Sequence, residues 1–84
     1  MKTHRVNLTR TNKADRCAMV YRGHSLGVSR TPLLSAARKL LQLGLAKPED
    51  RIETWRDNIL SMSAPVEAAA KLDVMGETFR HFIN

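Results

Sequence analysis

Gly23-His24-Ser25-Leu26-Gly27 matches the G-x-S-x-G nucleophile elbow letter for letter. That motif exposes a serine on a sharp strand-to-helix turn beside an oxyanion hole. Asp57 or Asp73 followed by His81 would supply the hydrolase order Ser…Asp…His. The context argues against it. A chain of 84 residues cannot hold the hydrolase sheet and its crossover helices, and the next helix signal starts at Pro32 rather than directly after Ser25. The stretch reads instead as a hairpin turn whose glycines relieve backbone strain. Cys17 is the second candidate. A reactive thiol needs a nearby cation or a helix N-terminus. Its neighbour Arg16 points to the other side of a strand, so Cys17 reads as a small buried hydrophobe. Cys17, His4, His24 and His81 are scattered, without C-x-x-C or H-x-x-x-H spacing, so neither a metal nor a cofactor is expected. No carboxylate pair or nucleophile–base pair is legible, and the chain reads as non-enzymatic.

What the sequence does offer is charge. The chain has a net charge of +6. Residues 1–31 hold Lys2, Arg5, Arg10, Lys13, Arg16, Arg22 and Arg30 against Asp15 alone, whereas residues 32–84 balance to zero. Such asymmetry points to an anionic partner, nucleic acid first among them. The expected contacts are Arg5, Arg10, Lys13, Arg16, Arg22 and Arg30, joined by Arg38 and Lys39 on the outer side of a helix. Each phosphate met would release counterions and make binding salt-sensitive.

These residues need a scaffold. At this length the chain buries roughly 60–65% of its unfolded surface, which suits a single small domain over residues 1–84. Residues 1–16 are expected to be a basic, flexible N-terminal arm. His4–Leu8 alternates weakly as a strand, residues 9–16 read as a loop, and Cys17–Arg22 returns with Ser25–Ser29 as a hairpin. Thr31 is placed as an N-cap whose hydroxyl takes a free amide, with Pro32 at the first helical position. Leu33, Leu34, Ala37, Leu40 and Leu41 then share one face of a helix over 32–43, which Gly44 terminates. Residues 51–56 and 59–62 read as a hairpin about Asp57-Asn58, and Pro65 opens a short helix over 65–71. The fold class is therefore α+β: an antiparallel sheet packed against one long and one short helix. No apolar run of about 18 residues could span a membrane. The N-terminus carries no apolar stretch of a secretory signal. A single cysteine makes a reducing, cytoplasmic setting the simplest reading.

Two further patterns compete for the function. Residues 65–83 carry helix-turn-helix spacing: Ala69, Leu72, Val74 and Phe79 would pack two helices, while Glu77, Thr78, Arg80 and His81 would face a major groove. Alternatively, residues 72–83 close the sheet as a β-hairpin. The order of elements also approximates β-α-β-β-α-β, and ferredoxin-like domains of that order bind RNA through aromatics on an open sheet. Of the aromatics here, Trp55 is read as core or rim packing rather than a base platform.

Arg30-Thr31-Pro32-Leu33-Leu34-Ser35-Ala36-Ala37-Arg38-Lys39-Leu40-Leu41, Arg51-Ile52-Glu53-Thr54-Trp55-Arg56 and Ala68-Ala69-Ala70-Lys71-Leu72-Asp73-Val74 resemble a group of small proteobacterial and prophage proteins of unknown function. In that group an R-T-P-L-L-x-A-A-R-x-L-L helix leads to an E-T-W-R strand. The resemblance implies a β-like C-terminal end and carries no site residue. The function expected is a small binding protein that meets nucleic acid, or another acidic partner, through its basic first third. The alternatives are a protein-interaction module, either a phage-type modulator or an edge-strand homodimer, and the helix-turn-helix regulator.

Overall fold

The computed structural model describes residues 1–72. Seven elements follow in order: β1 (Thr3–Arg10), β2 (Cys17–Tyr21), β3 (His24–Ser29), α1 (Pro32–Gln42), β4 (Arg51–Arg56), β5 (Ile59–Pro65) and α2 (Val66–Ala69). The strands form one sheet in the order β3-β2-β1-β4-β5. It is mixed, not purely antiparallel. β1 and β4 run parallel, with Thr3 beside Arg51 and Leu8 beside Arg56. The β1–β2–β3 meander ends with the chain pointing along β1, and α1 carries it back across the sheet. β4 must therefore start where β1 starts, which forces the parallel pair. Thr3–Arg10, inside the stretch expected as a basic arm, is the central strand.

Alternation decides which face β1 buries. His4, Val6 and Leu8 are buried, whereas Thr3, Arg5, Asn7 and Thr9 are exposed, the period of two that a half-covered strand requires. The inward side chains join Cys17, Met19 and Tyr21 of β2, Leu26 of β3 and Ile52 of β4. Leu33, Ala36, Ala37 and Leu40 of α1 pack onto them, and Val66 and Ala69 of α2 complete the cluster. Both helices thus lie on one side of the sheet. Among the described residues no element covers the other side, and no helix is long and apolar enough to cross a membrane.

The ends of α1 follow local rules, with one exception. Gly44 takes φ +72, the left-handed conformation that glycine tolerates. Its N–H donates to the Leu41 carbonyl, and the Leu45 N–H reaches back to the Leu40 carbonyl at 2.9 Å, the paired bonds of a Schellman cap. At the other end Thr31 makes no side-chain cap. Its hydroxyl pairs with those of Ser29 and Ser35, at 3.3 Å each. Two tight turns are of the hairpin type with positive φ at both central residues: Arg22-Gly23 and Asp57-Asn58. The second helix is shorter than 65–71, spanning four residues. The expected helix-turn-helix or β-hairpin end falls mostly on residues 73–84, outside the described residues.

Candidate nucleic-acid interface

The turn at Arg22-Gly23 disposes of the elbow geometry. Ser25 lies within β3, and its hydroxyl accepts the Gly27 N–H at 3.2 Å. No helix follows it until Pro32. Cys17 is buried in the core cluster, where an Arg56 guanidinium N–H donates to its sulfur at 2.7 Å.

The expected cations separate into four groups. Arg10 ends β1, and Lys13 and Arg16 lie in the loop that follows. That loop is tied by the Thr11 hydroxyl, which reaches the carbonyls of Lys13 at 2.9 Å and Arg16 at 3.2 Å and accepts the Lys13 N–H at 3.1 Å. Arg30 arrives at the same end of the sheet, because Cys17 pairs with both Arg10 and Ser29. Its guanidinium meets Asp15 at 2.8 Å, with both side chains about half exposed. An ion pair in that setting contributes little stability and takes one cation partly out of play. Arg5 stands alone of the eight on the uncovered face. Arg22 caps the opposite end of the sheet, its guanidinium 5.3 Å from the Tyr21 ring centroid. Arg38 and Lys39 are exposed on α1, on the far side of the molecule from Arg5, and Arg38 donates to the Ala70 carbonyl at 2.9 Å. The eight therefore do not form one patch. Arg10, Lys13 and Arg16 gather at one end of the sheet, and Arg5 lies five residues back along β1 on its uncovered face.

The uncovered face holds more than charge. Register places Asn7 between Val20 of β2 and Trp55 of β4, with Leu60 beyond. The Arg5 guanidinium sits 4.2 Å from the Trp55 ring centroid and donates through Nε to Asn7 Oδ1 at 3.1 Å. The indole N–H donates to Glu53 at 3.0 Å, and Arg51 donates to the Ser63 hydroxyl at 3.0 Å. Trp55 is half-buried and outside the core cluster. Parity in the sequence carries this signal: Ile52 points inward, so Trp55, three residues on, points outward.

A second constellation escaped sequence reasoning. His4 is buried beneath the helices, with Nδ1 2.8 Å from the Tyr21 hydroxyl and Nε2 2.9 Å from Asp50 Oδ2. Asp50 also accepts the backbone N–H groups of Lys2 and Lys47, each at 3.0 Å. The hydrogen bond from His4, followed by those two amides, holds the Asp50 carboxyl well below the usual carboxylate range. As an ionised acceptor, Asp50 accepts a hydrogen bond from His4 Nε2–H. A neutral ring then accepts from the Tyr21 hydroxyl at Nδ1, and a protonated ring donates to it. The network joins β1, β2 and the loop before β4, and its polar atoms face each other rather than solvent. It is a clamp on the scaffold beneath the helices. Its sequence signal was a histidine at an inward position of an alternating strand.

No family model matches this chain, and neither the curated proteins nor the solved structures contain a match to it.

Proposed function

We propose that this chain is a non-enzymatic nucleic-acid-binding module that meets phosphates along β1 and the β1–β2 loop. The observation that carries the reading is the set Arg5, Arg10, Lys13 and Arg16, exposed on and just beyond the central strand. These four lie in the third of the chain that holds the whole net charge of +6. The loop that bears two of them is braced by its own hydrogen bonds, so less ordering entropy is lost on binding. Phosphate contact by cations of this kind positions a nucleic acid without reading its sequence.

The test is fluorescence anisotropy of labelled random-sequence oligonucleotides across a salt series. Four phosphate contacts predict a slope of log affinity against log salt of about −3 for single strands. Replacing Arg5, Arg10, Lys13 and Arg16 together by Ala should abolish that slope. Replacing Arg38 and Lys39 on the opposite side should leave it in place. Failure to bind any oligonucleotide at low salt, or binding unaffected by the fourfold substitution, overturns the reading.

A further inference from the structure

We infer that the uncovered face takes single-stranded nucleic acid, by stacking an unpaired base on the Trp55 indole in place of the Arg5 guanidinium. The inference rests on the nucleic-acid reading above and names its substrate class. Three observations carry it.

The first is position. Trp55 lies on β4, with β1 on one side and β5 on the other, so its ring is flanked by strands on both sides. It contributes nothing to the core cluster. A large aromatic on that face is out of place as packing and well placed as a platform for bases, every one of which has a π-face. The indole N–H is engaged by Glu53 at 3.0 Å, which fixes the ring's orientation through its edge.

The second is the cover on the ring. The Arg5 guanidinium lies 4.2 Å from the centroid. A base held between the two groups needs about 7 Å, two stacking steps of 3.4 Å. The guanidinium must therefore move out when a base moves in. The exchange is favourable: an exposed cation–π contact corresponds to a factor of about 2–5 in an equilibrium constant, whereas base–aromatic stacking corresponds to about 5–150. The displaced guanidinium keeps its charge beside the sugar-phosphate chain and has a phosphate to meet.

The third is chemical complementarity of the surroundings. Thr3, Arg5, Asn7, Thr9 and Ser63 are exposed on this face and supply donors and acceptors for base edges. Leu60 pairs with Trp55 on one side of this face, and Val20 and Val28 lie on the other, with the polar β1 row of Thr3, Arg5, Asn7 and Thr9 between them, so no single apolar patch spans it. A duplex keeps its bases stacked inside and cannot offer one to a flat sheet, whereas a single strand can.

Trp55 is the sole tryptophan of the chain, so its fluorescence reports this site alone. The full chain is titrated at 50 mM salt, on the order of low ionic strength, with oligo-U, oligo-dT and a duplex of equal length. Both single strands are expected to quench the indole, and the duplex to leave it unchanged. Trp55→Ala should weaken single-strand binding about 5- to 150-fold, leaving weak duplex binding within about twofold. Trp55→Phe should restore most of the loss, and circular dichroism melts confirm that both variants fold. Oligo-U and oligo-dT differ in sugar and in the thymine methyl group, so unequal quenching by the two supports single-strand stacking, while quenching by neither overturns it. Binding without quenching, equal affinity for duplex, or an inert Trp55→Ala overturns stacking while the phosphate reading stands. Absence of all binding overturns both. A dimer in sedimentation whose indole is shielded from acrylamide before any oligonucleotide is added places a second copy on the face and also overturns it.

Discussion

Replacing Tyr21 by Phe removes one oxygen and leaves the ring. That ring is 5% exposed, and its hydroxyl lies 2.8 Å from Nδ1 of His4, itself 2% exposed. Nε2 is already committed to Asp50 at 2.9 Å, so Nδ1 has no second direction in which to find a partner without moving the ring. The substitution opens no cavity, because the phenyl group keeps its packing. Its cost is that of a buried polar atom left unsatisfied, about 1–3 kcal/mol. An unfolding entropy of about 2.1 cal/mol/K per residue converts this, for a chain of 84 residues, to a fall in Tm of about 6–17 °C. Thermal melts at pH 7 followed by far-ultraviolet circular dichroism measure it. The specific claim is that the loss comes through His4. In a His4→Leu background the hydroxyl has already lost its partner, so Tyr21→Phe should there be neutral or stabilising. A shift below about 2 °C in the wild-type background, or equal losses in both backgrounds, refutes the reasoning.

Two further outcomes concern the same scaffold. The folded-state pKa of Asp50 is depressed, so its contribution is full above the unfolded carboxylate value of about 3.9 and is lost as pH falls below it. Tm should therefore drop as pH falls below about 4. Asp50→Asn should lower Tm at pH 7 and flatten that acid limb; parallel curves for the two proteins would sink the assignment. Thr54 is fully buried between Val6 and Met62, and among the described residues its hydroxyl has no hydrogen-bond partner. Thr54→Val removes that burden at nearly constant volume and should raise stability by about 1 kcal/mol; a lower Tm contradicts it.

The helix over Pro32–Gln42 was legible because its signals agreed: proline at its first position, a leucine face, and a terminating glycine that adopts the left-handed conformation. The hairpin at Asp57-Asn58 was legible for the same local reason. The parallel pairing of β1 with β4 was not. It depends on where α1 returns the chain, which no local window contains. Arg5 and Arg10 were identifiable as charges, yet only the pairing shows that they ride on the central strand rather than on an arm. Thr31 carried an N-cap signal that the structure spends otherwise, since Ser29 and Ser35 compete for its hydroxyl. Composition alone does not say which face Trp55 takes, whereas its offset from Ile52 already assigns it to the outer one. The His4–Tyr21–Asp50 clamp spans residues 4 to 50 and is invisible to any local reading.

The central position of β1 has a consequence for synthesis. One edge of this strand pairs with β2, which leaves the ribosome immediately after it, while the other waits for β4. Arg51 follows Arg10 by some forty residues, roughly 2–8 s at ordinary elongation rates. Once β3 and α1 have followed, the β1 edge still stays open until β4 arrives, and an open edge is where strands recruit foreign strands. Arg5, along the open strand, and Lys2, just before it, are therefore useful before the fold is complete, since charge on an unpaired edge discourages association with other chains.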